Sequence, residues 1–380
     1  MGSILKKILY FLLAIVLLLN IYILVTGKYY IYSAFYHNFA GIDDYKIFPN
    51  REIPASSNPE PWPISYLYNK KNISPQFRNV LEGSSSVAFL VIKQDSLLYE
   101  EYWDGYSENS FSSSFSVAKS IVSALIGAAI REGKIKNVDQ KISDFLPEFR
   151  TEKKKDITIK DVLMMSSGIE WDEAYANPFS ITTEAYYGND LYKIMKDLEA
   201  EKKPGEEFEY KSGDTQILGF VLEKATGKTL SEYAYEKLWE PMGAERKALW
   251  SLDREDGHEK AYCCYNSNAR DFARLGYLYL HKGNWKGKQL VDTSYVEASV
   301  APNFLKFKDS TCNFYGYQWW VIPDCQGEKV FYARGILGQI ILVIPSKEIV
   351  AVRLGHWYGG RKGMHFSLVY DMVNEIKNYY

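Results

Sequence analysis

Apolar and polar positions divide the chain into stretches of different rhythm. The first is a run without a polar face, residues 8–25, broken only by Asn20 and preceded by Lys6 and Lys7. As a helix it spans about 27 Å, close to the hydrocarbon thickness of a bilayer. The two lysines favour a cytoplasmic N-terminus and a translocated remainder. A cleaved signal has a shorter apolar core and a small-residue cleavage site, of which Ser33-Ala34 is a poor version; no Cys follows the run to carry a lipid. The pattern therefore predicts an uncleaved signal anchor over residues 1–27, with the following domain extracytoplasmic, periplasmic or at the cell surface.

Residues 28–80 lose that rhythm. Phe48-Pro49 to Pro54 and Asn58-Pro59-Glu60-Pro61-Trp62-Pro63 are rich in proline, which predicts a stalk or linker draped over the folded body. From residue 81 the pattern becomes that of a packed domain reaching residue 380. Ala88–Ile92 and Leu97–Trp103 flank a turn-like Gln94-Asp95-Ser96, predicting two strands. Ser116 to Glu132 repeats apolar residues at helical spacing with almost no charge, predicting a buried helix. Residues from about 135 to 300 read as largely helical, with helices after Thr229 and over Ala269–Leu280. Strands return at Tyr317–Ile322, Lys329–Ala333, Gln339–Ile344 and Ile349–Leu354, and a last helix fits His365–Asn378. Early strands, a helical insertion and late strands imply one sheet built from both ends of the chain, with a groove where sheet meets helices.

Composition narrows the class. The 380 residues carry 45 Lys+Arg against 47 Asp+Glu, a net charge of -2, and 47% hydrophobic residues. That balance excludes a mostly disordered chain and gives no electrostatic footprint for nucleic acid. Cys263 and Cys264 are adjacent, and an extracytoplasmic location permits a Cys312–Cys325 disulfide, although spacing does not fix connectivity. Adjacent cysteines without flanking histidines make a poor zinc site, and none of the five histidines has H-E-x-x-H spacing. G-x-S-x-G is absent. Thr226-Gly227-Lys228-Thr229 imitates the end of a phosphate-binding loop, but Leu222 stands where its first glycine is required; a helix start capped by Thr229 or Ser231 explains it better.

The informative segment is Phe115-Ser116-Val117-Ala118-Lys119. Residues at i and i+3 share a helix face, so the Lys119 amine can approach the Ser116 hydroxyl. Helix N-terminal amides favour an anionic intermediate, and burial lowers a lysine pKa until the neutral amine can take a serine proton. The bland alternative is a helix cap followed by a solvated lysine. Lys119 is, however, the lone charge inside an otherwise apolar helix.

Ser116-Val117-Ala118-Lys119, Tyr210-Lys211-Ser212 and Ala333-Arg334-Gly335 together resemble the three motifs of class C-type serine β-lactamases and penicillin-binding proteins. Leu163 to Trp171, Pro204-Gly205 and Arg270 to Gly276 are also similar, and Ala333 to Gln339 most resembles the 6-aminohexanoate-dimer hydrolase and esterase branch. The resemblance covers roughly residues 80–380. It implies an α+β fold with an antiparallel sheet flanked by helices plus a helical domain, and catalysis without metal or cofactor. It assigns Ser116 as acylated nucleophile, Lys119 as its base, and Tyr210 as proton relay, with phenolate character next to a cation. Backbone amides of Ser116 and Ile336 would form the oxyanion hole. Ser212 stands where Asn more often holds a substrate amide, and Gly335 would allow close approach to substrate. Arg334, Asn266 and Tyr187 are candidates for the cleft lining. Ala333 replaces the cation that engages a substrate carboxylate, which favours a carboxylesterase or amidase acting on a small or peptide-like substrate. A D,D-peptidase or β-lactamase is the rival enzyme, and a catalytically silent binding module the rival of another class.

Overall fold

A computed structural model describes residues 2–380; Met1, the first residue of the expected cytoplasmic tip, lies outside them. The chain opens with helices α1 (Gly2–Thr26) and α2 (Tyr30–His37), strand β1 (Asn50–Ile53) and helix α3 (Pro75–Gly83). Strands β2 (Ser86–Lys93), β3 (Ser96–Tyr102) and β4 (Ser112–Ser113) lead to helices α4 (Ala118–Arg131), α5 (Ile181–Tyr187) and α6 (Ser212–Thr226). Strands β5 (Ala248–Ser251) and β6 (Tyr265–Ser267) and helix α7 (Ala269–Leu280) follow. The chain closes with strands β7 (Trp320–Cys325), β8 (Glu328–Gly335), β9 (Gln339–Ile344) and β10 (Ile349–Gly355) and helix α8 (Ser367–Tyr379).

The main sheet is fully antiparallel in the order β7-β8-β9-β10-β2-β3, so both ends of the body meet where β10 pairs β2, with Val350 opposite Ile92. Its strands are apolar on both sides because both sides are covered. Ala88, Leu90, Ile92, Ile341 and Val343 enter one core with α4 and α7. Their neighbours Phe89, Val91, Ile340, Leu342 and Ile344 enter a second core with α3 and α8. The alternation is the period-two pleat expressed as two cores. Helix α7 lies close on the sheet because Gly276 has no side chain: a Cβ there would stand 2.6 Å from Val350 Cγ1 and 2.8 Å from Ile341 Cγ2. Asn268 caps its first turn by accepting from Asp271 N at 2.9 Å.

Residues 28–80 correct the expectation of a stalk. Strand β1 pairs β5 in a second, four-stranded sheet, β1-β5-β6-β4, and α3 starts at a Ser74 cap held by buried Glu375 of α8. The Arg270–Gly276 stretch supplies much of the brace. Trp62 Nε1 donates to Arg270 O at 2.9 Å, and buried Arg274 donates to Glu60 O at 2.8 Å. Proline-rich chain here lacks regular structure but not partners: Ile42, Ile53, Trp62 and Ile73 are all buried. Among the described residues one helix, Ser3–Thr26, is long and apolar enough to cross a membrane. Strand β7 begins three residues later than its sequence pattern indicates, since Tyr315–Gln318 form the turn that enters it.

Candidate active site

Ser116 sits not on a long helix but on a single 3₁₀ turn, Phe115–Val117, between β4 and α4. Phe115 takes a positive φ of 44°, unusual for a bulky residue and found where a turn is held by its surroundings. The surroundings are two sheets. Ser114 N donates to Tyr265 O of β6 at 2.8 Å, and the end of β8 presses on the turn from the other side. A Cβ on Gly335 would overlap the Ser114 carbonyl oxygen. Gly335 therefore permits close approach of β8 to the turn that carries Ser116. Ile336 is the first residue after β8 and begins a short 3₁₀ turn.

From the first turn of α4, Lys119 reaches back to this point. It is 1% exposed, and Nζ donates to Ser116 Oγ at 3.1 Å, Ser212 Oγ at 3.1 Å and Tyr262 O at 2.8 Å. These three acceptors use all the donors of an ammonium. Burial lowers its pKa to about 8, against the upward pull of Glu173 and Asp214. Its amine also lies over the rings of Tyr210, at 5.3 Å, and Tyr262, at 5.6 Å.

Tyr210 precedes α6 and faces the Ser116 hydroxyl. Burial, then the charge of Glu173, raise its pKa well above the ordinary phenol value, with Ser116 and Arg334 only partly opposing them. The expectation of phenolate character is therefore corrected: desolvation outweighs the nearby cation, and the phenol rests protonated.

Ser212 begins α6. Its hydroxyl accepts from Lys119 and donates to Glu173 Oε1 at 2.6 Å, while its amide donates to Glu173 Oε2 at 2.7 Å. Both of its polar groups are thus engaged inside the protein. Glu173 was not visible as a site residue in the sequence, because it lies two positions beyond Trp171, where the recognisable stretch stops. It also accepts from Trp171 Nε1 at 2.6 Å and from the Tyr175 hydroxyl, so one carboxylate organises the lysine side of the cleft. Beneath it, buried Asp214 accepts from Ser167 Oγ at 2.5 Å, and burial raises its pKa to about 7.

Arg334 is partly buried. Its guanidinium lies 3.5 Å above the Trp320 ring, which also packs against Tyr210, and donates to Met364 O at 2.6 Å. Among the described residues it forms no ion pair. Two other candidates are not brought to the cluster. Asn266 is fully buried and spends its amide on Leu249 O, Ser251 Oγ and Cys264 O; it fastens β5 to β6. Tyr187 packs against Phe48 and Tyr186 and stacks on His37 at 5.9 Å, because α2 covers α5 there. The cysteines also differ from the pairing that an oxidising location permits. Cys263 and Cys264 are joined to each other, next to the Tyr262 carbonyl that receives Lys119, and Cys312 and Cys325 are free and buried.

Comparison with known proteins follows the same lines. The model of the family described as Beta-lactamase matches residues 76–364. The 6-aminohexanoate-dimer hydrolase of Paenarthrobacter ureafaciens is 28% identical over 316 residues, covering 76% of this chain and 79% of the relative. A Bacillus anthracis structure, proposed to be a 6-aminohexanoate-dimer hydrolase, superposes with a TM-score of 0.75 at 22% identity, covering 89% of this chain and 92% of that one. A family VIII carboxylesterase superposes with a TM-score of 0.61 at 16% identity, over 80% of this chain and 99% of the other. The two structures show a shared fold.

Proposed function

The chain belongs to the beta-lactamase family and is a serine hydrolase; from that premise we propose that it is a membrane-anchored enzyme cleaving an ester or amide through an acyl-enzyme on Ser116. The observation that carries this reading is the buried Lys119 amine, held 3.1 Å from the Ser116 hydroxyl with its pKa lowered to about 8. An amine so placed has a neutral fraction at neutral pH and a single useful proton to take.

Acylation begins when neutral Lys119 accepts the Ser116 proton as Oγ attacks the substrate carbonyl. In this reading the backbone amides of Ser116 and Ile336 meet the developing oxyanion. Tyr210, resting as a phenol, donates its proton to the departing alkoxide or amine and recovers one from the Lys119 ammonium. The leaving group departs protonated, Lys119 returns to neutral, and the acyl group remains on Ser116 Oγ. Water then repeats the sequence in reverse roles and releases the acid. Ser212 holds Lys119 Nζ directly, and Glu173 acts on it through the Ser212 hydroxyl.

Helix α1 supports the anchor. Asn20 interrupts its apolar run, yet Nδ2 donates to Val16 O at 2.7 Å and Oδ1 accepts from the Tyr32 hydroxyl at 2.7 Å. Internal pairing of both polar atoms is what lipid requires. A second reading, a D,D-peptidase or β-lactamase, draws on Arg334, whose unpaired cation beside Tyr210 suits a substrate carboxylate; stable acylation by penicillin distinguishes it. The test of the main reading is turnover of p-nitrophenyl butyrate by the full chain. Ser116→Ala abolishes it on this account, and retained activity rejects the assignment.

A further inference from the structure

The outer end of α1 does not stand free of the body. Ile23 is buried with Tyr30 and Ile31, and Leu19 and Tyr187 pack on that cluster. The Tyr22 ring meets Phe179 edge-on at 6.2 Å, and Lys28 pairs with Glu184 at 3.1 Å. The apolar run is only about 27 Å long against about 30 Å of hydrocarbon, so none of it can be spared from the bilayer. Immersing α1 therefore draws Phe179, Tyr187 and α2 down to the outer edge of the hydrocarbon.

Helix α2 is built for that depth. Tyr32, Phe35 and Tyr36 recur at i, i+3 and i+4, Phe39 follows just past the helix end, and all are exposed, Tyr36 by 84% and Phe39 by 69%. An outward aromatic face directly after a spanning helix matches the aromatic belt of a membrane interface, whereas exposed to water it is a liability. The same segment leads to the cleft. Four residues before Phe179 is Tyr175, half-exposed and hydrogen-bonded to Glu173, the carboxylate that also accepts from Ser212. Four residues of chain reach at most about 14 Å, so Tyr175 stays within that distance of Phe179 at the bilayer's outer face.

We propose that the cleft opens onto the bilayer surface and that its acyl donor is a membrane-embedded amphiphile carrying an ester or amide at headgroup level. This rests on the Ser116 acyl-enzyme reading above. The bond formed is Ser116 Oγ to the acyl carbon, the bond broken is that of the ester or amide, and the proton leaves on the alcohol or amine. Water then cleaves the acyl-enzyme.

The full chain in phosphatidylcholine vesicles tests this with two probes, soluble p-nitrophenyl butyrate and a fluorogenic long-chain acyl ester held in the same vesicles. The double variant Phe35→Ser/Tyr36→Ser, remote from Ser116, is expected to lower turnover of the vesicle ester about tenfold and leave the soluble ester unchanged. Hydrolysis of the soluble ester without hydrolysis of the vesicle ester, or turnover of the vesicle ester at an equal rate by the variant, overturns the proposal. Hydrolysis of neither, with Ser116 unlabelled by a fluorophosphonate, removes the inference together with its premise.

Discussion

Replacing Glu173 with Gln tests whether Lys119 works as a neutral base. The carboxylate is joined to Lys119 through the Ser212 hydroxyl, at 2.6 Å on one side and 3.1 Å on the other, so charge and amine are within about 6 Å. At an effective dielectric of about 20 their attraction is about 3 kcal/mol, equivalent to about two pH units. Glu173 holds the ammonium proton on, against the burial that removes it. With the pKa at about 8, roughly a tenth of the enzyme is neutral at Lys119 at pH 7, and half at pH 8. Activity of the parent enzyme on p-nitrophenyl butyrate therefore rises with pH through about 8. In Glu173→Gln the neutral form persists to lower pH, and the rising limb of kcat/KM moves acidward by up to about two pH units, with a lower plateau because a weaker base is at work. Gln can still accept from the Ser212 amide, so the start of α6 stays capped, and thermal unfolding should move only a few degrees. A folded variant whose rising limb stays in place refutes the reasoning: either Lys119 is not the titrating base, or Glu173 does not govern it.

Two further outcomes follow from packing. Gly335→Ala forces a methyl into the Ser114 carbonyl; it should cost about 1–3 kcal/mol of stability by overpacking and about a hundredfold in kcat/KM by shifting the oxyanion amides, measured by thermal melts and ester kinetics. Cys312 and Cys325 are buried thiols whose pKa is pushed up to about 11 by desolvation. They should resist iodoacetamide in the folded protein and label after unfolding, while Cys263 and Cys264 label only when a phosphine is added as well, as peptide mass spectrometry reads directly.

What could be read from residues alone was whatever is local. The S-x-x-K spacing brings the Ser116 and Lys119 side chains to one side of the chain, and they meet at 3.1 Å although Ser116 stands on a 3₁₀ turn ahead of α4. The limits of α7 and β9 coincide with Ala269–Leu280 and Gln339–Ile344 because period and end signals agree there. What escaped depends on contacts distant in sequence. Glu173 is one acid among 47 Asp+Glu, and only the return of α6 to α4 gives it a role. Tyr210 carries a depth of burial that no window of sequence reports, and burial reversed the expected direction of its pKa. The side chains of Asn266 and Tyr187 turn into β5–β6 packing and the α2–α5 contact, which sequence does not report. The proline-rich stretch looked like linker because its partners, Arg270, Arg274 and Glu375, lie some 200 to 300 residues away.

The central claim is that Ser116 is a nucleophile activated by Lys119. Mass spectrometry of the full chain after exposure to a fluorophosphonate reads it directly. The account predicts a single adduct on Ser116 that disappears in Lys119→Ala although that variant remains folded. An adduct on another serine, no adduct on folded protein, or equal labelling of Ser116 without Lys119 would contradict it.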